Sequence, residues 1–134
     1  MEEQELYQLI KKYLVPDLYK FPDRYAELDC YSKEHDMFFE LKCRTSIYTE
    51  LMIEKHKYDA LKSKRKSRYI NSVMLDGYPR VVSFNIQKIP EPIWEWKMIP
   101  NANNEHFKGL ELTEVGYFNI GLGKNITKKL IIPN

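Results

Sequence analysis

The sequence predicts one α/β domain in which a mixed central β-sheet is flanked by helices. The prediction rests on an apolar repeat of helical spacing at the start, two alternating segments around a polar break, and a second helical segment followed by further alternating ones. The 134 residues are 43% hydrophobic, enough for a single core and short for two. We therefore expect residues 1–134 to form a single domain.

The first predicted element is an amphipathic helix over residues 2–14. Its apolar side chains form one stripe, made of Leu6, Leu9, Ile10, Tyr13 and Leu14. Pro16 ends the helix. Glu2 and Glu3 project from the start of the same stripe, toward whatever the helix packs on. Acidic residues also favour helix N-termini through the helix dipole, so their position alone assigns no function.

The second predicted element is a hairpin of two half-buried strands between Tyr25 and Arg44. Each strand alternates apolar and polar residues, and the break Ser-Lys-Glu-His-Asp suits a tight turn. Because side chains alternate faces along a strand, one face is expected to carry Ala26, Leu28, Cys30, Phe39, Leu41 and Cys43. The opposite face then carries Glu27, Asp29, Glu40, Lys42 and Arg44.

The register of this hairpin predicts a metal site. A turn centred on residues 34–35 places Asp29 opposite Glu40, with their side chains roughly 5 Å apart. The same register places Glu27 opposite Lys42. Two carboxylates at that separation repel each other unless positive charge lies between them. Lys42 supplies one positive charge, and a divalent cation would supply more.

A second helix is predicted over residues 47–66, with Ser46 or Thr49 as its cap. Its apolar face is made of Ile47, Leu51, Tyr58 and Leu61, with Ile53 and Ala60 on one flank. Lys57 falls between that flank and the apolar face, so it is expected to point partly inward. The alternatives for this lysine are an ion pair with Glu54 and a side chain that extends to solvent.

The remaining sequence predicts a series of strands. Alternation places them at residues 68–75, 80–89 and 93–99, with a polar loop at 101–104 and one or two short strands at 110–120. The first two are joined by Asp76-Gly77-Tyr78-Pro79, which is typical of a tight turn. Trp94 and Trp96 are expected to share a face, where they either pack in the core or stack on bases. The apolar end at residues 130–132 is expected to dock on the body or on a neighbour.

Positive charge is concentrated in one part of the chain. The formal net charge is only +2, so the protein as a whole is not a polycation. Five cations nevertheless fall within seven residues: Lys62, Lys64, Arg65, Lys66 and Arg68. Such a run can hold nucleic-acid phosphates, and it is also common as a solvated helix end.

Several other classes of protein are disfavoured. No apolar run approaches the ~20 residues of a transmembrane helix, and the start does not resemble a signal peptide, so we expect a cytoplasmic protein without membrane contact. Cys30 and Cys43 are then expected to be reduced core residues. The three histidines are scattered, which disfavours a histidine metal cage and a hydrolase triad.

Asp29, ten intervening residues and then Glu40-Leu41-Lys42 resemble the core motif of the PD-(D/E)xK nuclease superfamily. This superfamily includes many restriction enzymes, Holliday-junction resolvases and phage-encoded endonucleases. The flanking helices and strands extend the likeness over about two thirds of the chain. No proline precedes Asp29, whereas Pro22-Asp23 matches the motif literally. Asp23 lies in a turn before the strand, where aspartate normally bonds its own backbone, so Asp29 is the preferred residue.

The resemblance implies a restriction-endonuclease-like core and Mg²⁺- or Mn²⁺-dependent hydrolysis of DNA phosphodiester bonds, including those of branched DNA. It implies that Asp29, Glu40 and the Leu41 carbonyl bind one or two metal ions. Lys42 would orient or activate the attacking water and help to stabilise the transition state.

Further roles follow from the same resemblance. Glu3 matches a metal-site glutamate of resolvase-like members, and Lys57 matches a Lys or Gln that reaches the scissile phosphate in many members. Arg44 and the basic run from Lys62 to Arg68 would hold the DNA backbone without reading its sequence. Resolvases work as dimers because two strands must be cut, so a homodimer is compatible with the resemblance. The expected setting is a bacterial or phage-infected cell.

Two other functions stay open. One is a nuclease-like domain that binds nucleic acid, or serves as a structural phage component, without cutting. Such domains usually lose one of the three motif residues, and this sequence keeps all three. The other is an interaction module in which Glu27, Asp29, Glu40 and Lys42 form a solvated, salt-bridged sheet face.

Overall fold

A computed structural model gives the fold, and it describes residues 1–23, 26–46, 48–75, 77–100, 109–130 and 132. Within these residues the protein is a mixed α/β structure with a mixed central sheet, a smaller second sheet and two helices. The predicted α/β class is therefore confirmed. No helix in the described part of the chain is long and apolar enough to cross a membrane.

The elements follow one another along the chain with short connections. They are α1 (Glu3–Tyr13), β1 (Tyr19–Lys20), β2 (Cys30–Ser32), β3 (Met37–Cys43), β4 (Glu50–Glu54), α2 (Lys55–Lys62), β5 (Ser67–Leu75), β6 (Tyr78–Asn85), β7 (Glu95–Pro100), β8 (Leu110–Asn119) and β9 (Lys124–Asn125). The central sheet has the order β1-β2-β3-β5-β6-β9, and β4-β8-β7 form the second sheet. Neighbouring strands are antiparallel except β3 and β5, which are parallel and are joined through β4 and α2.

Two apolar clusters cover the two faces of the central sheet. Helix α1 packs on one face, where Leu6 and Ile10 meet residues of β3 and β5 such as Leu41 and Ile70. Helix α2 and the second sheet cover the other face, around buried Tyr58 and other apolar residues. Alternation along β3 therefore sends Leu41 toward α1 and leaves Glu40 on the face toward α2.

The predicted hairpin register is confirmed where the strands pair. Cys30 lies opposite Phe39 and Ser32 opposite Met37, so the turn falls where the polar break predicted it. The turn includes Asp36 in the left-handed region, at a φ of 49°. Cys30 and Cys43 are free, as expected, and burial raises the pKa of the Cys30 thiol to about 12.

The first strand of the hairpin is much shorter than predicted. Tyr25, its expected start, lies outside the described residues, and the chain from 26 to 29 makes bends instead of a strand. Leu28 consequently packs on the α2 side and Cys30 on the α1 side, so the prediction that they share a face was wrong. The physical reason lies at Asp29. Its backbone N–H donates to the Glu40 side chain and its carboxylate accepts from the Leu41 N–H, so these bonds to β3 replace the backbone-to-backbone ladder of a strand pair.

The predicted helix over 47–66 was wrong at both ends, because only Lys55–Lys62 are helical and residues 63–66 form a turn and bends before β5. Residues 50–54 form β4, which pairs with β8 along its whole length, and α2 begins only at Lys55, after Glu54. Leu51 and Ile53 alternate into the core with 0% and 2% exposure, and burial against β8 outweighs their helical spacing. Ser46 and Thr49 therefore do not cap α2, whose N-cap is Glu54, and residue 47 lies outside the described part.

The later strands agree with the predicted alternation apart from their ends. The β5–β6 hairpin turns at Gly77 with a φ of 79°, and a single strand, β8, occupies residues 110–119. Asp76 and the predicted loop at 101–104 lie outside the described residues. Trp94 precedes β7 and packs edge-on against Tyr58, whereas Trp96 is 65% exposed, so the two do not share an environment. Leu130 is fully buried in the α1 core, so the predicted docking on the body is confirmed for this residue, while residue 131 lies outside the described part.

Candidate active site

Asp29 is bonded to Glu40 and to Leu41, by two hydrogen bonds that each link a side chain to a backbone N–H. The Asp29 N–H donates to Glu40 Oε1 at 3.1 Å, and the Leu41 N–H donates to Asp29 Oδ2 at 2.9 Å. The adjacency predicted from the hairpin register is therefore present, although Asp29 lies in a bend just before β2. The arrangement fixes both carboxylates and the Leu41 peptide together.

Lys57 brings a positive charge to this pair from α2. Its Nζ lies 3.2 Å from Glu40 Oε2 and donates to the Glu27 carbonyl oxygen at 3.2 Å. The inward orientation predicted for Lys57 is thus confirmed. The alternative pairing with Glu54 is wrong, because that carboxylate contacts His56 at 3.2 Å instead.

Burial dominates the electrostatics of Glu40. Its side chain is only 11% exposed, and desolvation together with the negative charge of Asp29 raises the pKa of the Glu40 carboxyl from 4.5 to about 8. Lys57 opposes this shift but does not cancel it. The ionised form of Glu40 is therefore short of positive charge, and a further cation beside it would be stabilising.

Glu3 reaches the same region from the first turn of α1. The residue is exposed, yet partial desolvation of its carboxyl and the charge of Asp29 raise its pKa. Lys42 and Lys57 oppose that shift, so Glu3 senses the whole carboxylate–lysine group. The predicted direction of the Glu3 side chain, toward the surface on which α1 packs, stays a prediction, because the residue itself is exposed.

Lys42 lies on the same face of β3 as Glu40, one alternation further along the strand. It is exposed, and both residues line an open cleft of about 820 Å³ between the central sheet, α2 and the second sheet. The opposite wall comes from β7 and β8 and includes Trp96, Glu111 and Glu114. A substrate entering this cleft would meet Lys42 without any rearrangement.

Arg44 is held inside a network that the sequence did not indicate. Its Nε donates to Asn71 Oδ1 at 3.0 Å, and its guanidinium also donates to the Tyr69 hydroxyl at 3.1 Å and to the Met52 carbonyl. Burial raises the pKa of Tyr69 to about 12, so its hydroxyl stays neutral. Arg44 lines the cleft as a charge anchored to β4 and β5. This network depends on the pairing of β3 with β5, so no local pattern in the sequence could predict it.

The basic run does not form one continuous surface. Lys64 Nζ lies 3.9 Å from Glu27 Oε2, and Arg65 is bound to Asp36 at 2.9 Å. Arg68 lies on the α1 face of β5, on the opposite side of the sheet from Glu40. Lys62 and Lys66 are exposed. Contact of these residues with DNA stays a prediction, and the geometry divides them between two faces.

The described residues contain no ready-made cluster of three His, Cys, Asp or Glu side chains that could hold a metal ion. The carboxylate pair is instead neutralised in part by Lys57. Comparisons of the chain with protein-family models, curated proteins and solved structures found no match.

Proposed function

We propose that this protein is a metal-dependent DNA endonuclease with a restriction-endonuclease-like core, acting on phosphodiester bonds that include those of branched DNA. The observation that carries the proposal is the pairing of Asp29 with Glu40 around the Leu41 peptide, with Lys42 on the same strand facing an open cleft. The solvated salt-bridged face that would characterise an interaction module fits poorly, because Glu40 is only 9% exposed.

The donor set fits Mg²⁺ or Mn²⁺. These ions prefer oxygen ligands, and the carboxylates of Asp29 and Glu40 lie together. The Leu41 carbonyl, and Glu3, whose carboxyl interacts electrostatically with Asp29, would complete the donor set. The raised pKa of Glu40 also indicates a carboxylate short of positive charge. When bound, such an ion would acidify a water and neutralise charge that develops on the phosphate.

The protein's own residues have separable roles in this proposal. Lys57 balances Glu40 in the free protein and lies close enough to shift to a bound phosphate. Lys42 is exposed in the cleft and can orient a water or contact a phosphate oxygen. Arg44 contributes a fixed positive charge, because bonds to Asn71 and Tyr69 hold its guanidinium in place.

A second candidate is a nuclease-like domain that binds nucleic acid, or serves as a structural phage component, without cutting. The observation that favours it is the Lys57–Glu40 ion pair at 3.2 Å. An ammonium group that stays bound to this carboxylate could provide the positive charge that a metal ion would otherwise provide. The two candidates differ in one measurable property, which is cleavage that depends on a divalent ion.

The deciding experiment is incubation of the protein with branched, single-stranded and duplex DNA in the presence of Mg²⁺, Mn²⁺ or EDTA. We expect ion-dependent cutting that Glu40→Gln and Asp29→Asn abolish and that Asp23→Asn leaves intact. Cutting by Glu40→Gln at the wild-type rate would reject the site. Loss of activity in Asp23→Asn, with Asp29→Asn active, would transfer the role to the Pro-Asp pair.

Ion-independent binding without cutting would support the second candidate. Sedimentation of the free and DNA-bound protein would show whether it works as a homodimer, as the resolvase-like resemblance allows.

A further inference from the structure

A second pocket lies on the α1 face of the central sheet, away from the carboxylate pair. Its volume is about 360 Å³, and its floor is formed by apolar side chains of α1 and the two residues after it, of β3 and β5, and of the segment after β9. These floor residues are Ile10, Leu14, Val15, Phe39, Ile70 and Ile126. The volume falls within the range of about 300–1,000 Å³ that is typical of small-ligand sites. We refer to this feature as the basic pocket.

The charged groups that line the basic pocket all have the same sign. Arg68 comes from β5, Lys124 from β9 and Lys129 from the 3₁₀ turn at Thr127–Leu130. No carboxylate is among the described lining residues. Some cations elsewhere in the described structure are paired with acids, as Arg65 is with Asp36 at 2.9 Å. The basic pocket is therefore a concentration of positive charge without a matching carboxylate in its described wall.

The position of each cation makes this concentration unfavourable in the absence of an anion. Arg68 is half-buried, its guanidinium donates to the neighbouring Ser67 carbonyl at 3.0 Å, and burial lowers the pKa of that guanidinium. Lys124 lies close enough to Lys129 to lower the pKa of that lysine. Desolvation of one charge and repulsion between two others are both relieved by a negative group placed among them.

We propose that the basic pocket binds a small organic anion with an apolar body, such as a carboxylate or phosphate ester carrying a short hydrocarbon chain. The anionic group would lie among Arg68, Lys124 and Lys129, and the chain would cover the apolar floor. Side chains such as Phe39 and Ile126 give a nucleic-acid backbone no comparable contact, because that backbone is bound by solvated cations. The inference does not depend on the proposed nuclease activity, since the carboxylate site faces the other side of the sheet.

The test is a calorimetric titration of the intact protein with decanoate, using decanol and acetate as probes that lack the charge or the chain. We expect saturable binding of decanoate only. Lys124→Gln/Lys129→Gln should weaken it at least about tenfold, because two charge-assisted contacts are lost. Both lysines are exposed, so the variant should fold. Lys128→Gln is the matched control, because this exposed lysine belongs to the same 3₁₀ turn but does not line the basic pocket.

Each of the other results would overturn the proposal. Equal binding of decanol and decanoate would mean that only the apolar floor contributes to affinity and that the cations do not. Acetate that binds as tightly as decanoate would mean that the ligand needs no apolar body. Equal losses in the double variant and in Lys128→Gln would mean that the effect is general surface charge. A short oligonucleotide that displaces decanoate would make a nucleic-acid phosphate the occupant. Arg68→Gln gives an independent test, because it should weaken decanoate binding without touching either lysine.

Discussion

We expect the wild-type protein to lose stability between pH 4.5 and 8, and replacing Glu40 with glutamine should remove most of that loss. The Glu40 carboxyl has its pKa raised from 4.5 to about 8 in the folded state. Between these values the folded protein holds a proton that the unfolded chain has released, so the free energy of unfolding falls as the pH rises. Each pKa unit corresponds to about 1.36 kcal/mol, so the fall attributable to this group is up to about 5 kcal/mol.

The glutamine variant resembles the protonated form of Glu40 more closely than the ionised form. The ionised carboxylate accepts from the Asp29 N–H with one oxygen and contacts Lys57 with the other, whereas a glutamine, like a protonated carboxyl, must turn a donor toward one of these groups. Relative to the ionised form, which prevails above pH 8, this mismatch costs about 1–3 kcal/mol. The informative quantity is therefore the change in stability with pH, and not the stability at any one pH.

Urea denaturation from pH 4.5 to 8.5, followed by far-UV circular dichroism, measures this change directly. Glu27→Gln is the matched control, because Glu27 lines the same cleft but its side chain is 67% exposed, and it should keep the wild-type slope. Adding Mg²⁺ at pH 8 should stabilise the wild type more than Glu40→Gln if the carboxylate helps to bind the ion. A slope in Glu40→Gln equal to that of the wild type would refute the raised pKa, and with it the reason given for a cation at this site.

Three further variants separate the remaining roles. Lys42→Ala should bind DNA and Mg²⁺ but cut at least about 100-fold more slowly in single-turnover assays, and loss of DNA binding would make this lysine a phosphate contact only. Lys57→Met should move the pH midpoint of the stability change upward, because it removes a cation that lowers the pKa of the buried glutamate; an unmoved midpoint would mean that the ion pair is absent in solution. Changing Lys64, Arg65 and Lys66 together to Gln should flatten the plot of log affinity against log salt by about one unit and not three, since two of them already contact carboxylates; an unchanged slope would place DNA elsewhere.

The hairpin register could be predicted because it depends on local information. The polar break fixes where the chain turns, and the antiparallel pairing of Cys30 with Phe39 follows from that position by counting. The same count brings Asp29 beside Glu40, even though the strand has ended and side chains make the bonds. The bends before Cys30 could not be predicted, because they depend on hydrogen bonds that replace the ladder.

The segment around Leu51 and Ile53 shows why the rest could not be predicted. Its apolar residues fit a helical stripe and a two-residue alternation equally well, and short segments of this kind are ambiguous. Pairing with β8 decides between them, since Leu51 lies opposite Phe118 and Ile53 opposite Gly116. That partner is far along the chain, so no local propensity could reveal it.

The mistaken helix start and the correct prediction for Lys57 have a common structural cause. Because β4 takes residues 50–54, α2 begins at Lys55 and Lys57 lies in its first turn. From there its ammonium group reaches both Glu40 and the Glu27 carbonyl, which belong to the hairpin. The helical face inferred from the sequence was sufficient to predict that Lys57 points inward. The contact between Lys57 and Glu40 also requires β4, because that strand leads the chain from the hairpin to the start of α2. The candidate site is thus assembled by the crossover between the parallel strands β3 and β5. Substitutions in β4 should therefore disturb the contact between Lys57 and Glu40, although neither residue is changed.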